Sequence, residues 1–195
     1  MIIIDDFLPK DKFETLSEFV LSDRFPWFYT SHVSIAPWDD REIQDSMAKE
    51  TDGWYHFLYS ENEYNGLFMK DFMIFFEELT ARFNYTDQDL IRARLGLKQP
   101  KVDHKDENYN LPHVDYYFPH DTIIYYLNDS DGDTRMFKEY ANNDIDPDPV
   151  NFSVEKRINP KANRLLLFNG LQYHTASNPI NTSRRVVLNV NLKCR

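Results

Sequence analysis

Residues 111–133, LPHVDYYFPHDTIIYYLNDSDGD, decide how this chain is interpreted. A histidine and an aspartate, His113 and Asp115, stand two residues apart, and a β-branched, aromatic run follows them before a turn. In a β-strand the side chains of residues i and i+2 point to the same face, so this pair can meet one metal ion. The pair alone is weak support, because a chain with six histidines and 32 acidic residues contains His-x-Asp readily by chance.

A second His-x-Asp pair, His104 and Asp106, lies in the charged run VDHKDENYN. Metal ligands must sit on a rigid element, and this run has no apolar period that would pack it. The sequence therefore predicts that His104 is a solvated loop residue, and it favours His113 and Asp115 as ligands.

A third ligand has to come from a neighbouring strand. Only His174, at the end of RLLLFNGLQYH, stands beside a β-type run that is well separated in sequence; the other candidates are His32, His56 and His120. Two histidines and one carboxylate on one face of an octahedron are typical of non-haem Fe(II) oxygenases, and they leave three positions open. The competing interpretation is that these are ordinary polar residues at strand ends.

The last strand, RRVVLNVNLK at 184–193, has two unlike faces. Alternation places Val186, Leu188, Val190 and Leu192 on a core face, and Arg185, Val187, Asn189 and Asn191 on the other. A polar face headed by an arginine suits the inside of a barrel, where a guanidinium can bind a carboxylate bidentately.

Elsewhere the pattern predicts two amphipathic helices, at 11–21 with Asp11 as cap and at 66–83, followed by short strands. The predicted strands are 91–97, 122–128, 151–158, 164–168 and 184–192. Residues 128–133 and 168–170 are predicted hairpin turns, residues 99–111 and 138–150 surface loops, and 29–65 a loop-rich, aromatic connection. The sequence thus predicts one domain over 1–195, mainly β with flanking helices: helical support and the aromatic connection at 1–90, and a catalytic core at 91–195.

Charge and composition exclude several classes of partner. The formal net charge of −10 opposes binding to nucleic acid or to anionic membranes. The only cysteine is Cys194, the N-terminus lacks the basic region of a signal peptide, and no apolar run approaches the roughly 20 residues that span a bilayer. We expect a soluble, cytoplasmic protein with no nucleic-acid or membrane partner.

In order and spacing these pieces resemble the Fe(II)- and 2-oxoglutarate-dependent dioxygenases, in particular the short prolyl-4-hydroxylase-like branch of bacteria and phages. The matching pieces are HVD (113–115), TIIYYLN (122–128), DGDT (131–134), NPKANRLLLF (159–168), His174 and RVVLN (185–189), with IIIDDFLP and WYHFLY (54–59) in the first half. The resemblance implies a double-stranded β-helix, or jelly roll, with N-terminal helices packed on its major sheet.

The resemblance also implies ligands and cofactors. His113, Asp115 and His174 would bind Fe(II), Arg185 would pair with the distal carboxylate of 2-oxoglutarate, and Tyr126 would donate a hydrogen bond to it. The implied cofactors are Fe(II), 2-oxoglutarate and O2, with ascorbate as an optional reductant, in the cytoplasm of a bacterium or of a phage-infected cell. The collagen-modifying branch has lysine where Arg185 stands, so its substrate does not carry over.

The implied reaction is hydroxylation of an unactivated C–H bond. A prolyl residue in a peptide or protein is the first substrate candidate, and a free amino acid or another small molecule is the alternative. A non-catalytic cupin-like module that binds a metal or a sugar is the rival of a different class, and it has no need for Arg185. A nucleic-acid demethylase of the same superfamily is opposed by the charge of −10.

Two features bear on the substrate. The aromatic residues of the first half could line a cleft, although at this density they more often pack a core: Trp27, Phe28, Tyr29, Trp38, Trp54 and Tyr55. The predicted loops 99–111 and 138–150 flank the proposed metal ligands in sequence and are the candidate lids.

Overall fold

The structure is a computed structural model, and it describes residues 1–31, 52–60, 68–142 and 151–194. These residues contain ten strands and two α-helices. The strands are β1 Ile2–Ile4, β2 Phe28–Thr30, β3 Gly53–Ser60, β4 Leu90–Lys98, β5 His120–Tyr126, β6 Thr134–Tyr140, β7 Val154–Ile158, β8 Leu165–Asn169, β9 Gln172–Ala176 and β10 Arg185–Lys193. The helices are α1 Lys10–Leu21 and α2 Met73–Phe83, with short 3-10 helices at Met69–Phe72 and Asp87–Asp89.

The strands form two antiparallel sheets. The larger has the order β1-β8-β5-β10-β4-β3-β2, and the smaller has the order β7-β6-β9. His113 adds a single bridge to the free side of β9, opposite His174. The chain passes from one sheet to the other between β5 and β6 and again between β8 and β9, as the strands of a jelly roll do. The predicted fold class, mainly β with flanking helices, is confirmed.

The helices pack on the outer face of the larger sheet. Leu16 and Val20 of α1 and Phe75 and Leu79 of α2 recur at helical spacing, and all four belong to one buried apolar cluster with that face of the sheet. The strands contribute alternate residues to the same cluster, among them Ile123, Tyr125, Val186, Leu188, Val190 and Leu192. The core face predicted for the last strand is therefore the face that the helices cover.

A smaller core lies between the two sheets. It contains the residues of β5, β8 and β10 that point the other way, together with Met136 and Ile158 of the smaller sheet: Ile124, Tyr126, Leu166, Phe168 and Val187. The larger sheet is thus covered on both faces at β5, β8 and β10. Polar residues on its inner face are consequently enclosed rather than solvated.

Asn163 fastens the N-terminal segment to this sheet. It has a left-handed backbone with φ 64°, which asparagine tolerates better than most residues. Its side chain accepts hydrogen bonds from Leu8 N (2.9 Å) and Tyr125 Oη (2.6 Å) and donates to Leu8 O (2.9 Å). The segment that precedes α1 is therefore positioned by a buried side chain from the β7–β8 connection.

Several predicted local features differ from the structure. Helix α1 begins at Lys10 after Pro9, so Asp11 lies in its first turn and is not the cap. The 3-10 turn Met69–Phe72 precedes α2, which begins only at Met73; part of the predicted 66–83 helix lies outside the described residues. Within 29–65, residues 53–60 form β3, so the loop-rich interpretation was wrong there.

The two predicted hairpin turns connect strands that do not pair with each other. Residues 128–133 lead from β5 in the larger sheet to β6 in the smaller, and 168–170 lead from β8 to β9 in the same direction. Turn-forming residues signal that the chain reverses, but they carry no information on which strand it will pair with. Of the predicted loop 138–150, residues 138–140 belong to β6, and 143–150 lie outside the described residues. Neither α-helix of the described residues has both the length and the apolar character that a membrane span requires.

Candidate metal and carboxylate site

The structure brings His113, Asp115 and His174 together. One ligand atom from each lies within 4.8 Å of the others. His113 and His174 face each other across the bridge, with reciprocal backbone N–H to C=O hydrogen bonds of 3.0 Å and ring centroids 4.8 Å apart. Asp115 Oδ2 lies 3.9 Å from His174 Nε2. A single backbone bridge therefore fixes the two histidines relative to each other, and Asp115 lies in a bend just after it.

Both imidazoles are oriented in the same way. Nδ1 of each ring lies within hydrogen-bond distance of the carbonyl two residues earlier, Leu111 O at 3.0 Å for His113 and Gln172 O at 3.1 Å for His174. A carbonyl can only accept, so each Nδ1 carries the proton and each Nε2 keeps its lone pair. Nε2 of His174 is buried and has no hydrogen-bond partner among the described residues. This is the arrangement that a metal-binding histidine requires.

Asp115 is held by three side chains. Arg92 Nη2 donates to Oδ1 at 2.5 Å, while the amides of Asn191 and Asn189 donate to Oδ2 at 2.8 Å and 3.2 Å. Burial by itself raises the pKa of Asp115, but Arg92 and the two imidazoles outweigh it and lower the pKa well below its usual value. The carboxylate is therefore ionised and fixed in direction.

The two histidines are neutral around pH 7. Burial, and then the neighbouring His174, lowers the pKa of His113 to about 3. Burial also lowers the pKa of His174, against the opposing effect of Asp115. Two neutral imidazoles and one ionised carboxylate form a donor set that fits a divalent transition metal such as Fe(II).

The same residues border a cavity between the sheets. It has a volume of about 610 Å³, including the part open to solvent, and its lining includes His113 and His174 at one side and Arg185 and Thr134 at another. Arg185 is buried, and its Nη2 donates to Thr134 Oγ1 at 2.7 Å. Among the described residues no carboxylate forms an ion pair with it, and its Nε has no hydrogen-bond partner. Burial lowers the pKa of this guanidinium.

Tyr126 lies one hydrogen bond away from the cavity. Its hydroxyl is 2.7 Å from Thr134 Oγ1, and the Arg185 guanidinium lies 5.7 Å from the centre of its ring. Thr134 lines the cavity, whereas Tyr126 is completely buried behind it. Thr134 was missed as a site residue, although it ends the DGDT piece of the resemblance. The assignment of Tyr126 as a direct donor to 2-oxoglutarate stays a prediction.

Strand β4 supplies a second set of site residues that the sequence interpretation missed. Arg92, Arg94, Gly96 and Lys98 alternate along it; Arg92 bonds to Asp115, and the other three line the cavity. Gly96 adds no side chain to this wall, and a Cβ there would be in ordinary van der Waals contact with Val187 Cγ2 at 3.8 Å. The spacing R-x-R-x-G-x-K in 92–98 was the available signal, but charged alternation usually marks a solvated face.

The other histidines lie elsewhere or have other partners. His56 bonds to Pro26 O at 2.9 Å and packs against Phe25, and His120 bonds to Phe118 O at 2.8 Å. His104 is buried, so the prediction of a solvated residue was wrong: the loop that carries it is folded onto the protein. Among the described residues it is not part of the metal-ligand group. His32 lies outside the described residues.

The aromatic residues of the first half pack rather than line the site. Trp27 and Trp54 lie against the core beneath the helices, and Phe28 and Tyr29 are exposed on β2. Among the described residues, none of these four aromatic residues lines the cavity, and neither does Tyr55. Trp38 lies outside the described residues. The core-packing alternative is thus the better one for Trp27 and Trp54.

Comparison with known proteins supports the fold at low sequence identity. No protein-family model and no curated protein sequence matches the chain. Many solved structures do match, and three of them illustrate the range. One is the epimerase SnoN in complex with Fe3+, alpha ketoglutarate and nogalamycin RO (TM-score 0.59, 13% identity, 98% of this chain and 78% of that one). The others are a Pseudomonas putida prolyl-4-hydroxylase (0.53, 12%, 100% and 92%) and a Trichoplax adhaerens prolyl hydroxylase in complex with a hypoxia inducible factor peptide (0.55, 16%, 98% and 83%). The chain therefore has the fold of the 2-oxoglutarate-Fe(II) oxygenases.

Proposed function

We propose that this chain is an Fe(II)- and 2-oxoglutarate-dependent dioxygenase that hydroxylates an unactivated C–H bond. The observation that carries the proposal is the meeting of two groups in one cavity. One is the group His113, Asp115 and His174, with its free imidazole nitrogen, and the other is the buried Arg185 without an ion-pair partner among the described residues. A metal-binding module without turnover has no use for the second group.

His113, Asp115 and His174 would hold the iron. Iron held by these residues would supply the activation of O2 for a reaction in which 2-oxoglutarate and O2 yield succinate and CO2 and a C–H bond of the substrate becomes C–OH. The chain's own residues hold and aim these components. Arg92, Asn189 and Asn191 keep Asp115 ionised and fixed in direction, and the carbonyls of Leu111 and Gln172 keep both Nε2 atoms unprotonated.

Arg185 would bind the distal carboxylate of 2-oxoglutarate. A buried guanidinium carries a large desolvation cost unless an anion pairs with it, and its free Nε offers a second donor beside Nη2. Thr134 Oγ1 lies between Arg185 and Tyr126, so its hydroxyl is positioned to contact the same carboxylate while Tyr126 holds it in place. Burial of all three excludes water from this end of the cavity.

The substrate is proposed from the sequence resemblance. A prolyl residue of a peptide or protein is the first candidate, and a free amino acid is the second. The fold is shared by prolyl hydroxylases and by an epimerase, so the likeness of fold favours neither substrate and does not fix the reaction type.

The proposal is tested by incubating the protein with Fe(II), 2-oxoglutarate and O2 and measuring succinate. We expect slow succinate formation without substrate and faster formation when a proline peptide library or a mixture of free amino acids is added. His174→Ala should abolish both rates, whereas His56→Asn, a histidine change outside the cavity, should keep them. No succinate from the wild-type protein at any iron concentration, with both substrate sets present, would contradict the proposed function.

A further inference from the structure

The wall of the cavity that β4 provides carries a positive charge that the proposed cosubstrate site does not use. Arg94 is partly buried, and its Nε is enclosed without a hydrogen-bond partner among the described residues. Among the described residues Arg94 forms no ion pair. Its guanidinium carbon lies 6.0 Å from the centre of the Phe57 ring, which is a cation–π contact. Burial, and then the nearby Arg92, lowers the pKa of Arg94 to about 10, so it remains charged at neutral pH.

The strand register places Arg94 on the metal side of the cavity. Arg94 pairs across the sheet with Asn189, whose amide bonds to Asp115, while Arg185 pairs with Lys98 four residues further along β4. Four residues of a strand span roughly 13 Å. The two guanidiniums therefore occupy different places: Arg185 lies at the proposed distal-carboxylate end, and Arg94 lies beside the metal group, where a substrate must present its C–H bond.

A count of charges separates Arg94 from the cosubstrate. Among the described residues that form the metal group and line the cavity there are four cations, Arg92, Arg94, Lys98 and Arg185, and a single carboxylate, Asp115. A divalent metal would add two positive charges, and 2-oxoglutarate would bring two negative ones. Asp115 is paired with Arg92, and the distal carboxylate of 2-oxoglutarate would pair with Arg185, so Arg94 keeps no carboxylate partner after the cosubstrate is bound. A buried charge is costly unless it is paired.

A matching acceptor lies next to Arg94. Asn189 lines the cavity, and its amide nitrogen donates a hydrogen bond to Asp115. The amide oxygen, Oδ1, therefore points away from Asp115. This oxygen is buried and has no hydrogen-bond partner among the described residues. Arg94 and Asn189, which are paired across β4 and β10, thus offer a cationic donor and a neutral acceptor side by side.

We propose that the substrate is a free α-amino acid, whose carboxylate binds to Arg94 and whose ammonium group donates to Asn189 Oδ1. The inference rests on the proposed function and selects the second of its two substrate candidates, a free amino acid, over the first, a prolyl residue within a peptide. A guanidinium and an amide oxygen side by side fit the two polar groups that every free amino acid carries. A prolyl residue inside a peptide offers neither, so free proline is compatible with this site and an internal prolyl residue is not.

The test measures binding without turnover. The Fe(II)-loaded protein, saturated with 2-oxoglutarate under anaerobic conditions, is titrated by calorimetry with the standard L-amino acids and with the C-terminal amide of each. At least one free acid should bind, and its amide should bind about ten- to hundredfold more weakly, because the amide removes the charge that pairs with Arg94. Equal binding of acid and amide, or no binding of any free acid, would overturn the proposal.

Arg94→Gln should reduce binding of the acid to the level of its amide, while the Kd for 2-oxoglutarate stays within about a factor of two. Arg184→Gln, on the neighbouring connection and outside the cavity lining, is the matched control and should change neither. Arg94→Met, which removes a buried charge at similar volume, serves as the second variant if Arg94→Gln is poorly folded. A loss of 2-oxoglutarate binding equal to the loss of amino-acid binding would assign Arg94 to the cosubstrate and overturn the proposal.

The two proposals fail in different ways. Wild-type protein that binds iron and 2-oxoglutarate and forms succinate, but prefers no free acid over its amide, retains the proposed function and loses this inference. Protein that binds an amino acid through Arg94 but never forms succinate loses the proposed function instead.

Discussion

The two faces of β10 differ in what they contact: the outer face packs against the helices, and the inner face borders the cavity. On the face that the helices cover, Val186, Leu188, Val190 and Leu192 are almost completely buried among apolar neighbours. On the inner face, Arg185, Asn189 and Asn191 are equally enclosed, yet each has a side-chain atom without a hydrogen-bond partner among the described residues. The outer face of this strand is thus apolar and fully packed, whereas its inner face carries polar atoms that can still form hydrogen bonds with a ligand.

The difference separates stability from ligand binding. Apolar burial stabilises the fold in proportion to the area removed from water, and the helix-covered face supplies most of that area. Polar groups enclosed without partners cost free energy, and a protein retains them where a ligand completes the bonds. Substitutions on the outer face should therefore change unfolding, and those on the inner face should change binding.

The largest expected effect is on the outer face. Leu188→Ala removes a fully buried side chain and should lower the free energy of unfolding by about 2–5 kcal/mol. Urea denaturation measures this loss, and the folded fraction should still bind 2-oxoglutarate with unchanged affinity. A loss of 2-oxoglutarate affinity comparable to the loss of stability would break the separation between the faces.

On the inner face, Arg185→Met should do the reverse. The affinity for 2-oxoglutarate should fall by about 2–4 kcal/mol, because the distal carboxylate would lose its proposed buried partner, while stability is unchanged or raised. Anaerobic calorimetry of the Fe(II) protein measures the affinity. Arg184→Met is the control, since Arg184 donates to Leu21 O and does not line the cavity. If Arg184→Met weakened 2-oxoglutarate and Arg185→Met did not, the assignment of the inner face would be wrong.

A smaller effect is expected for Asn191→Ala. Asn191 bonds to Asp115 and to Thr122 but is not itself one of the proposed ligands. Its loss should weaken metal binding by about ten- to hundredfold by freeing the direction of the Asp115 carboxylate. Competition with a metal chelator measures this, and an unchanged metal affinity would show that Asp115 needs no support from β10.

The smallest effect is expected outside both faces, at Asp5. Arg164 and Lys161 lower the pKa of Asp5 from 3.8 to about 2, and Arg164 makes the larger contribution. Because the pKa is lowered in the folded state, the stabilisation is present above pH 3.8 and is lost as the pH falls towards 2. Asp5→Asn should cost about 0.2–1 kcal/mol at neutral pH, since the pair is exposed, and less at about pH 3. A difference in unfolding free energy that grew as the pH fell would contradict this.

The sequence predicted the features that follow from local periodicity. Strict alternation in 184–193 fixed both faces of β10, and the β-type run before His174 singled it out from the other histidines. Strand β3 was missed because its aromatic residues do not alternate with polar ones, and both crossovers were taken for hairpins because turn chemistry does not specify a pairing partner.

Arg94 and Thr134 show why the rest of the site could not be predicted. An arginine on an alternating strand is usually solvated, and only the second sheet over β4 encloses it. Thr134 matters because β5 and β6 lie in different sheets, which brings its hydroxyl within hydrogen-bond distance of both Tyr126 and Arg185. Both facts depend on pairing between distant strands, which no single segment of sequence contains.

The proposed function requires one divalent ion held jointly by His113, Asp115 and His174. X-ray absorption spectroscopy of the Fe(II)-loaded protein tests this directly, because it counts the imidazoles bound to iron. We predict two imidazoles for the wild-type protein and one for any iron that His174→Ala retains. Identical spectra for the two proteins, or iron without bound imidazole in the wild type, would contradict the central claim.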